Sequence, residues 1–269
     1  MQPGKTATIY RTQDRGQSWS QLATIPIKNG DGGAFIAFSD VRHGWFEDIS
    51  AGNAQLSGEV FATGDGGKTW RYMATSGQYN SLPFGGQLTV QRDGTLWLDG
   101  GQRAGIAGGV GFLWLYRSTD NGKTWCQVNL PLSAAHRKET TSVSTPIFFG
   151  SNGFVTVQFQ HDSTLYASQD GGRTWSVRST FGQNSSPPVF GDAMSGWRIA
   201  SNQFYSTKDG GYIWHPLPID STLLKALDSP FTPQIDFVDS KKGWLLSKNL
   251  LLISNDGGLN WSKIIVRGK

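Results

Sequence analysis

The octapeptide TGDGGKTW at residues 63–70 decides the fold, because the chain repeats its pattern five more times. The other copies are TQDRGQSW (12–19), STDNGKTW (118–125), SQDGGRTW (168–175), TKDGGYIW (207–214) and SNDGGLNW (254–261). All six fit S/T-x-D-x-G-x-x-W. Their aspartates, Asp14, Asp65, Asp120, Asp170, Asp209 and Asp256, are 51, 55, 50, 39 and 47 residues apart. A period of that size suits one four-stranded unit per repeat, and it predicts an all-β propeller.

The residues of the box state its local job. A short apolar run precedes each copy, such as LWLY before 118 or LLLI before 254, and a polar run follows. The box must therefore turn the chain through a hairpin. An Asp carboxylate can accept backbone N–H groups of its own turn, and a Ser or Thr two residues earlier supplies a hydroxyl. Gly16, Gly67, Gly122, Gly172, Gly211 and Gly258 stand where a positive φ is expected, which glycine adopts without steric cost. The closing tryptophans, Trp19, Trp70, Trp125, Trp175, Trp214 and Trp261, each offer a large apolar ring to cover the hairpin. These local roles account for every copy, so the box aspartates and tryptophans read as structural rather than catalytic or sugar-binding.

A second pattern, F-x-D-x-x-x-G-W, precedes three boxes: FSDVRHGW (38–45), FGDAMSGW (190–197) and FVDSKKGW (237–244). TVQRDGTLW (89–97) and FFGSNGFV (148–155) are looser forms. Each reads as strand, tight turn, strand, with Trp45, Trp197 and Trp244 in the core. The repeat unit is then strand A, turn, strand B, variable loop, strand C, box, strand D. Five A–B hairpins are visible, near 34–46, 87–98, 146–158, 188–199 and 234–246, against six boxes. The first box has no A–B hairpin before it. The expectation is a single domain over 1–269, a six-bladed ring with an incomplete first blade. A truncated seven-bladed ring is the alternative.

Alternation also sorts the ends of the strands. A–B turns and boxes share one rim, and B–C and D–A loops share the other. The second rim varies, as binding loops on a rigid scaffold do. Its long segments are 47–59, 99–112, 131–145 and 216–234, the last with a short helix expected over DSTLLKAL. Partner contacts are expected there, from Arg103, Phe112, His136, Arg137, Lys138 and Glu139. The glycines between 101 and 111 lack the spacing of a phosphate-binding loop and read as a flexible connection.

Composition narrows the function classes. The net charge is +4, but the basic residues are dispersed, which argues against nucleic acid as a partner. One cysteine, Cys126, excludes an intrachain disulfide and a cysteine-based zinc cluster. The four histidines have no metal-ligand spacing, and neither metal nor cofactor is expected. No stretch is long and apolar enough to cross a membrane as a helix. The opening MQPGKTATIY has no apolar core, so no signal peptide is read in it.

The six boxes resemble the Asp-box, or bacterial neuraminidase repeat, superfamily of β-propellers, over nearly the whole chain. That superfamily spans sialidases, xyloglucan-degrading glycosidases, sortilin-type receptors and photosystem II stability/assembly factor-like proteins. The pairing of F-x-D-x-x-x-G-W with the box looks most like the last group. The resemblance implies a non-catalytic and often exported propeller, and a monomer that binds a protein partner or a glycan is expected. A structural module of the cell envelope is an alternative, and a glycosidase is the competing one. Sialidases carry an Arg-Ile-Pro motif before their first box, and here the nearest string is Trp197-Arg198-Ile199-Ala200. A glycosidase needs two carboxylates across a cleft. The non-box candidates on the variable rim are Glu47, Asp48, Asp99, Glu139, Asp162, Asp220 and Asp228. The sequence cannot bring any two of them together.

Overall fold

The structure of the chain is a computed structural model. It describes residues 5–27, 33–50, 57–73, 82–83, 87–101, 113–134, 136, 142–182, 185–227, 233–248 and 250–264. The chain divides into two compact units. One comprises Met1–Asn129 and Ala134–Pro146, the other Leu130–Ser133 and Ile147–Lys269.

The first unit opens with a two-stranded hairpin, β1 (Lys5–Arg11) and β2 (Ser20–Ile27). An antiparallel meander follows: β3 (Ala34–Phe38), β4 (Gly44–Ser50), β5 (Ser57–Thr63) and β6 (Arg71–Tyr72). β7 (Leu82–Pro83) adds to β5. The next meander is β8 (Leu88–Val90), β9 (Leu96–Gly101), β10 (Leu113–Ser118) and β11 (Cys126–Gln127), and β12 (Ser142–Val143) completes the unit.

The second unit holds three meanders. They are β13 (Ile147–Phe149) to β14 (Asn152–Gln158), β15 (Asp162–Ser168) and β16 (Ser176–Gly182); then β17 (Val189–Phe190), β18 (Gly196–Ala200), β19 (Gln203–Thr207) and β20 (His215–Pro216); then β21 (Gln234–Phe237), β22 (Gly243–Ser247), β23 (Leu250–Ser254) and β24 (Ser262–Lys263). All five expected A–B hairpins are present. The expected helix is α1 (Ser221–Leu227). Asp220 caps it, accepting the Leu223 N–H at 2.7 Å, and Leu223, Ala226 and Leu227 are buried. No helix among the described residues is long and apolar enough to cross a membrane.

The meanders pack through the alternate faces of their strands. In the first unit Trp45 of β4 meets Leu88, Leu96, Leu98 and Tyr116 of the following meander. On the other face of β4, Phe46 packs with Phe61 and with Ile25 of β2. In the second unit Trp197 stacks on Phe237 of the next meander, 3.6 Å between ring centroids. Each such buried side chain contributes about 1.5–3 kcal/mol. Trp45 and Trp197 are core residues as expected, whereas Trp244 is only half-buried and lies under the Lys242 ammonium at 5.4 Å.

F-x-D-x-x-x-G-W has a direct steric cause. The Phe ring lies flat on the Gly of its own hairpin. A Cβ on Gly44 would come 2.5 Å from the Phe38 ring, and one on Gly243 2.5 Å from the Phe237 ring. The box tryptophan then meets the same Phe edge-on, as in Phe38–Trp70 at 6.1 Å and Phe237–Trp261 at 6.0 Å. The pattern's Asp makes the turn, with Asp239 accepting the N–H groups of Lys241 and Lys242 at 2.7 Å.

Candidate functional site

The two ends of the strands differ chemically, and the box end is closed. In the second box Asp65 accepts the Thr63 hydroxyl at 2.8 Å, the Lys68 and Thr69 N–H groups at 2.9 and 3.0 Å, and the Thr69 hydroxyl at 2.6 Å. The Thr63 hydroxyl oxygen takes the Gly67 N–H at 2.9 Å, and the Trp70 indole donates to the Gly67 carbonyl at 2.9 Å. The other boxes repeat this scheme with few changes. The glycines have positive φ in all six copies, 80° to 90°. Hydrogen bonds from Ser18 and Thr12 bring Asp14 down to about 2. Those from Thr69 and Thr63 lower Asp65, and those from Thr174 and Ser168 lower Asp170. At Asp120, Asp209 and Asp256 desolvation pulls upward, and the hydrogen bonds outweigh it. These aspartates are ionised and fully engaged. The sequence reading missed the seventh residue of the box, Ser18, Thr69, Thr124, Thr174 or Asn260, whose side chain fastens the second carboxylate oxygen. Box five has Ile213 there, and its backbone N–H reaches both oxygens of Asp209.

The A–B turns share this end. The carbonyl of a turn residue accepts a box N–H: Arg42 from Gly66, Met194 from Gly210 and Lys241 from Gly257, each at 2.8 Å. His43 also lies here, its Nδ1 2.8 Å from Asp40, and the His43 side chain is the main cause that lowers Asp40 to about 2. Both are exposed and engaged in the turn.

The opposite end of the first unit holds buried carboxyl groups. Glu47 and Asp48 lie near the far end of β4, and Asp99 near the far end of β9. Strand alternation sets Glu47 on the face of Trp45, toward β8 of the next meander. Its carboxylate there takes the Leu88 N–H. Glu47 is 1% exposed, and its Oε2 has no hydrogen-bond partner. Asp99 is 6% exposed and well supplied, with the Gln87 N–H and the Thr145 hydroxyl both at 2.7 Å. Desolvation pushes Glu47 up to about 8, aided by the charges of Asp99 and Asp48. Desolvation also raises Asp99, and the Thr145 and Gln87 hydrogen bonds oppose it. A neutral acid beside a hydrogen-bonded carboxylate can donate one hydrogen bond and accept another, or pass a proton to a bound oxygen.

The remaining candidates are dispersed. Asp162 begins β15 in the second unit and is half-buried, and Asp220 is spent on α1. His136 is half-buried in a short turn. Arg103, Phe112, Arg137, Lys138, Glu139 and Asp228 lie outside the described residues. Among the described residues no group of three or more His, Cys, Asp or Glu could hold a metal ion. Arg198, from the Arg-Ile string, is committed to packing. Its guanidinium lies 4.4 Å from the Tyr205 ring centroid and 4.5 Å from that of Phe181, and its Nη1 donates to Ser185 at 3.0 Å.

No family model matches the chain, and no curated protein matches it. Solved structures do. The GH74 xyloglucanase from Xanthomonas campestris aligns with a TM-score of 0.64 and 18% identity, over 95% of this chain and 42% of the enzyme. The Penicillium chrysogenum alpha-L-arabinanase complexed with arabinobiose aligns at 0.51 and 13% identity, over 87% and 81%. YCF48 bound to D1 peptide aligns at 0.49 and 14% identity, over 86% and 82%. The first two are β-propellers, and the chain has that fold, in line with the resemblance of its repeat. The identities are too low to carry an activity across.

Proposed function

We propose that the chain is one six-bladed propeller domain that acts, outside the cytoplasm, as a binding module for a protein or glycan partner. The partner is engaged at the end of the blades opposite the boxes. One observation carries this reading: box carboxylates are spent on their own turns, while Glu47 keeps an unspent buried oxygen beside Asp99 at the other end. A buried polar group without a partner costs stability, so one left unsatisfied in the free protein is suited to be satisfied by a ligand. The long loops of that rim fit the same use.

The same pair favours a second reading, glycoside hydrolysis. A protonated Glu47 would act as general acid to the glycosidic oxygen, with Asp99 as the second carboxylate. One experiment separates the two. The protein is presented with arrays of peptides and of xyloglucan, arabinan and sialoside fragments, and both retention and release of reducing ends are measured. The binding reading expects retention that Glu47→Gln weakens, with no turnover. Release of reducing ends, abolished in Glu47→Gln, would establish the hydrolase. Retention and turnover both unaffected by the substitution would remove the site.

A further inference from the structure

The box end is closed in its hydrogen bonds, yet at one place in the second unit its surface is apolar. The sixth and seventh residues of every box are exposed. In the fifth box they are Tyr212 and Ile213, 61% and 58% exposed. The other sixth residues are Gln17, Lys68, Lys123, Arg173 and Leu259. The other seventh residues each bond the second oxygen of their Asp through a polar side chain. Ile213 gives that bond up. Asp209 is left with the Thr207 hydroxyl and the N–H groups of Tyr212 and Ile213. A β-branched side chain here thus costs the fold a hydrogen bond and returns no burial.

A second departure meets the first. The third residue after a box tryptophan packs on the glycine of the next box. A Cβ on Gly67 would touch Leu22, and one on Gly258 would touch Leu217. At Gly211 the neighbour is Arg178, whose Cγ would stand 3.6 Å from that Cβ. The arginine stem takes the place of leucine at this seam, and its head reaches on to the surface. There the guanidinium lies 3.8 Å from the Tyr212 ring centroid. Met194, 54% exposed, adjoins the same box through its carbonyl, which takes the Gly210 N–H at 2.8 Å. Lys208 is exposed beside Asp209. The carboxylates of this corner are engaged in their own turns, Asp209 as above and Asp192 with the N–H groups of Met194 and Ser195.

We propose that Tyr212, Ile213 and Met194, with Arg178 and Lys208, form a docking surface for an acidic, apolar polypeptide segment of a partner protein. Tyrosine, methionine and arginine are the residues that protein interfaces favour, and tyrosine and arginine carry much of their binding energy. The backbone of Tyr212 and Ile213 is already fixed by Asp209 and the Tyr212 ring by Arg178, so docking orders little that is free. The apolar side chains set the centre of the contact, and the two cations select carboxylates at its edge. This surface is separate from the carboxyl pair, which lies in the first unit, and it stands or falls without it.

The probes are synthetic peptides that pair Leu or Phe with Asp and Glu, and counterparts with Lys in place of the acidic residues, each titrated into the intact protein. Expected is saturable one-to-one binding of acidic peptides that weakens as salt is raised, with the basic counterparts inert. The double variant Tyr212→Lys, Ile213→Thr gives the fifth box the pattern of the second. It should keep or raise Tm, because Asp209 regains a hydroxyl, and weaken binding by about tenfold or more. Arg178→Leu installs the residue of the other seams and should weaken binding to a similar degree. Absence of binding, equal binding of the basic peptides, or binding unchanged in the double variant would overturn the proposal. A lowered Tm in the double variant would make the pair structural and overturn it too. So would self-association of the free protein that the double variant abolishes, since the occupant would then be a second copy, or capture of phosphatidylserine vesicles in place of peptide.

Discussion

The indole N–H of Trp197 donates to the Gly257 carbonyl at 2.8 Å, which fastens β18 of one meander to the box of the next. In the first unit Trp45 makes the equivalent, longer contact with the Asn121 carbonyl at 3.4 Å. The tryptophan of F-x-D-x-x-x-G-W is thus an interblade latch as well as a core side chain. Trp197→Phe keeps most of the packing and leaves the carbonyl of half-buried Gly257 without its donor. A loss of about 1–3 kcal/mol is expected in urea unfolding. Trp197→Ala also opens a cavity, and about 3–5 kcal/mol is expected. Equal, small losses for the two would mean that the stack on Phe237 contributes little.

Glycine in F-x-D-x-x-x-G-W is required by the ring above it. Gly243→Ala sets a methyl against Phe237, and overpacking of this kind costs about 1–3 kcal/mol. Adding Phe237→Leu, which removes the flat ring, should recover part of the loss. A double-mutant cycle measures this coupling, and strict additivity would refute the steric explanation.

The box aspartates set an acid limit. Their hydrogen bonds hold the carboxyl groups below the ordinary 3.8, to about 2 at Asp14. A depressed carboxylate stabilises the fold above its unfolded value, and the gain disappears as the pH falls through the folded one. Asp14→Asn should therefore lower Tm at pH 7, and the gap to the parent protein should close between about pH 4 and pH 2. A gap independent of pH over this range would show that the charge is not what matters.

Glu47 acts in the opposite direction. Its folded value is raised from 4.5 to about 8. Between these values the unfolded chain releases a proton that the folded chain keeps, so stability falls as the pH rises through that window. Glu47→Gln removes the titration. The variant should gain on the parent between about pH 5 and pH 8, by an amount on the order of a few kcal/mol. Parallel stability curves would place Glu47 in a more hydrated setting than its burial indicates.

The fold was legible because its signals are local. A box, its turn glycine and the apolar run before it lie within about a dozen residues of one another, and all five A–B hairpins and α1 could be read directly. What joins one blade to another was not legible. Glu47 and Asp99 come together only because β4 packs on the following meander, and no periodicity encodes that distance. The support that Thr145 and Gln87 give Asp99 has no motif. The Phe-over-Gly contact was visible as a pattern, but its cause needed the backbone. The rim segment 136–139 carries charge but no motif, and only His136 of that group falls among the described residues.

The box end is chemically closed, while the other end of the first unit holds a proton-bearing carboxyl group. The chain has only three glutamates, Glu47, Glu59 and Glu139, so carboxyl-13C glutamate labelling gives a three-signal spectrum that can be titrated by NMR. One signal, absent from Glu47→Gln, is expected to titrate near pH 8. A Glu47 signal that titrates below pH 5 would overturn this assignment.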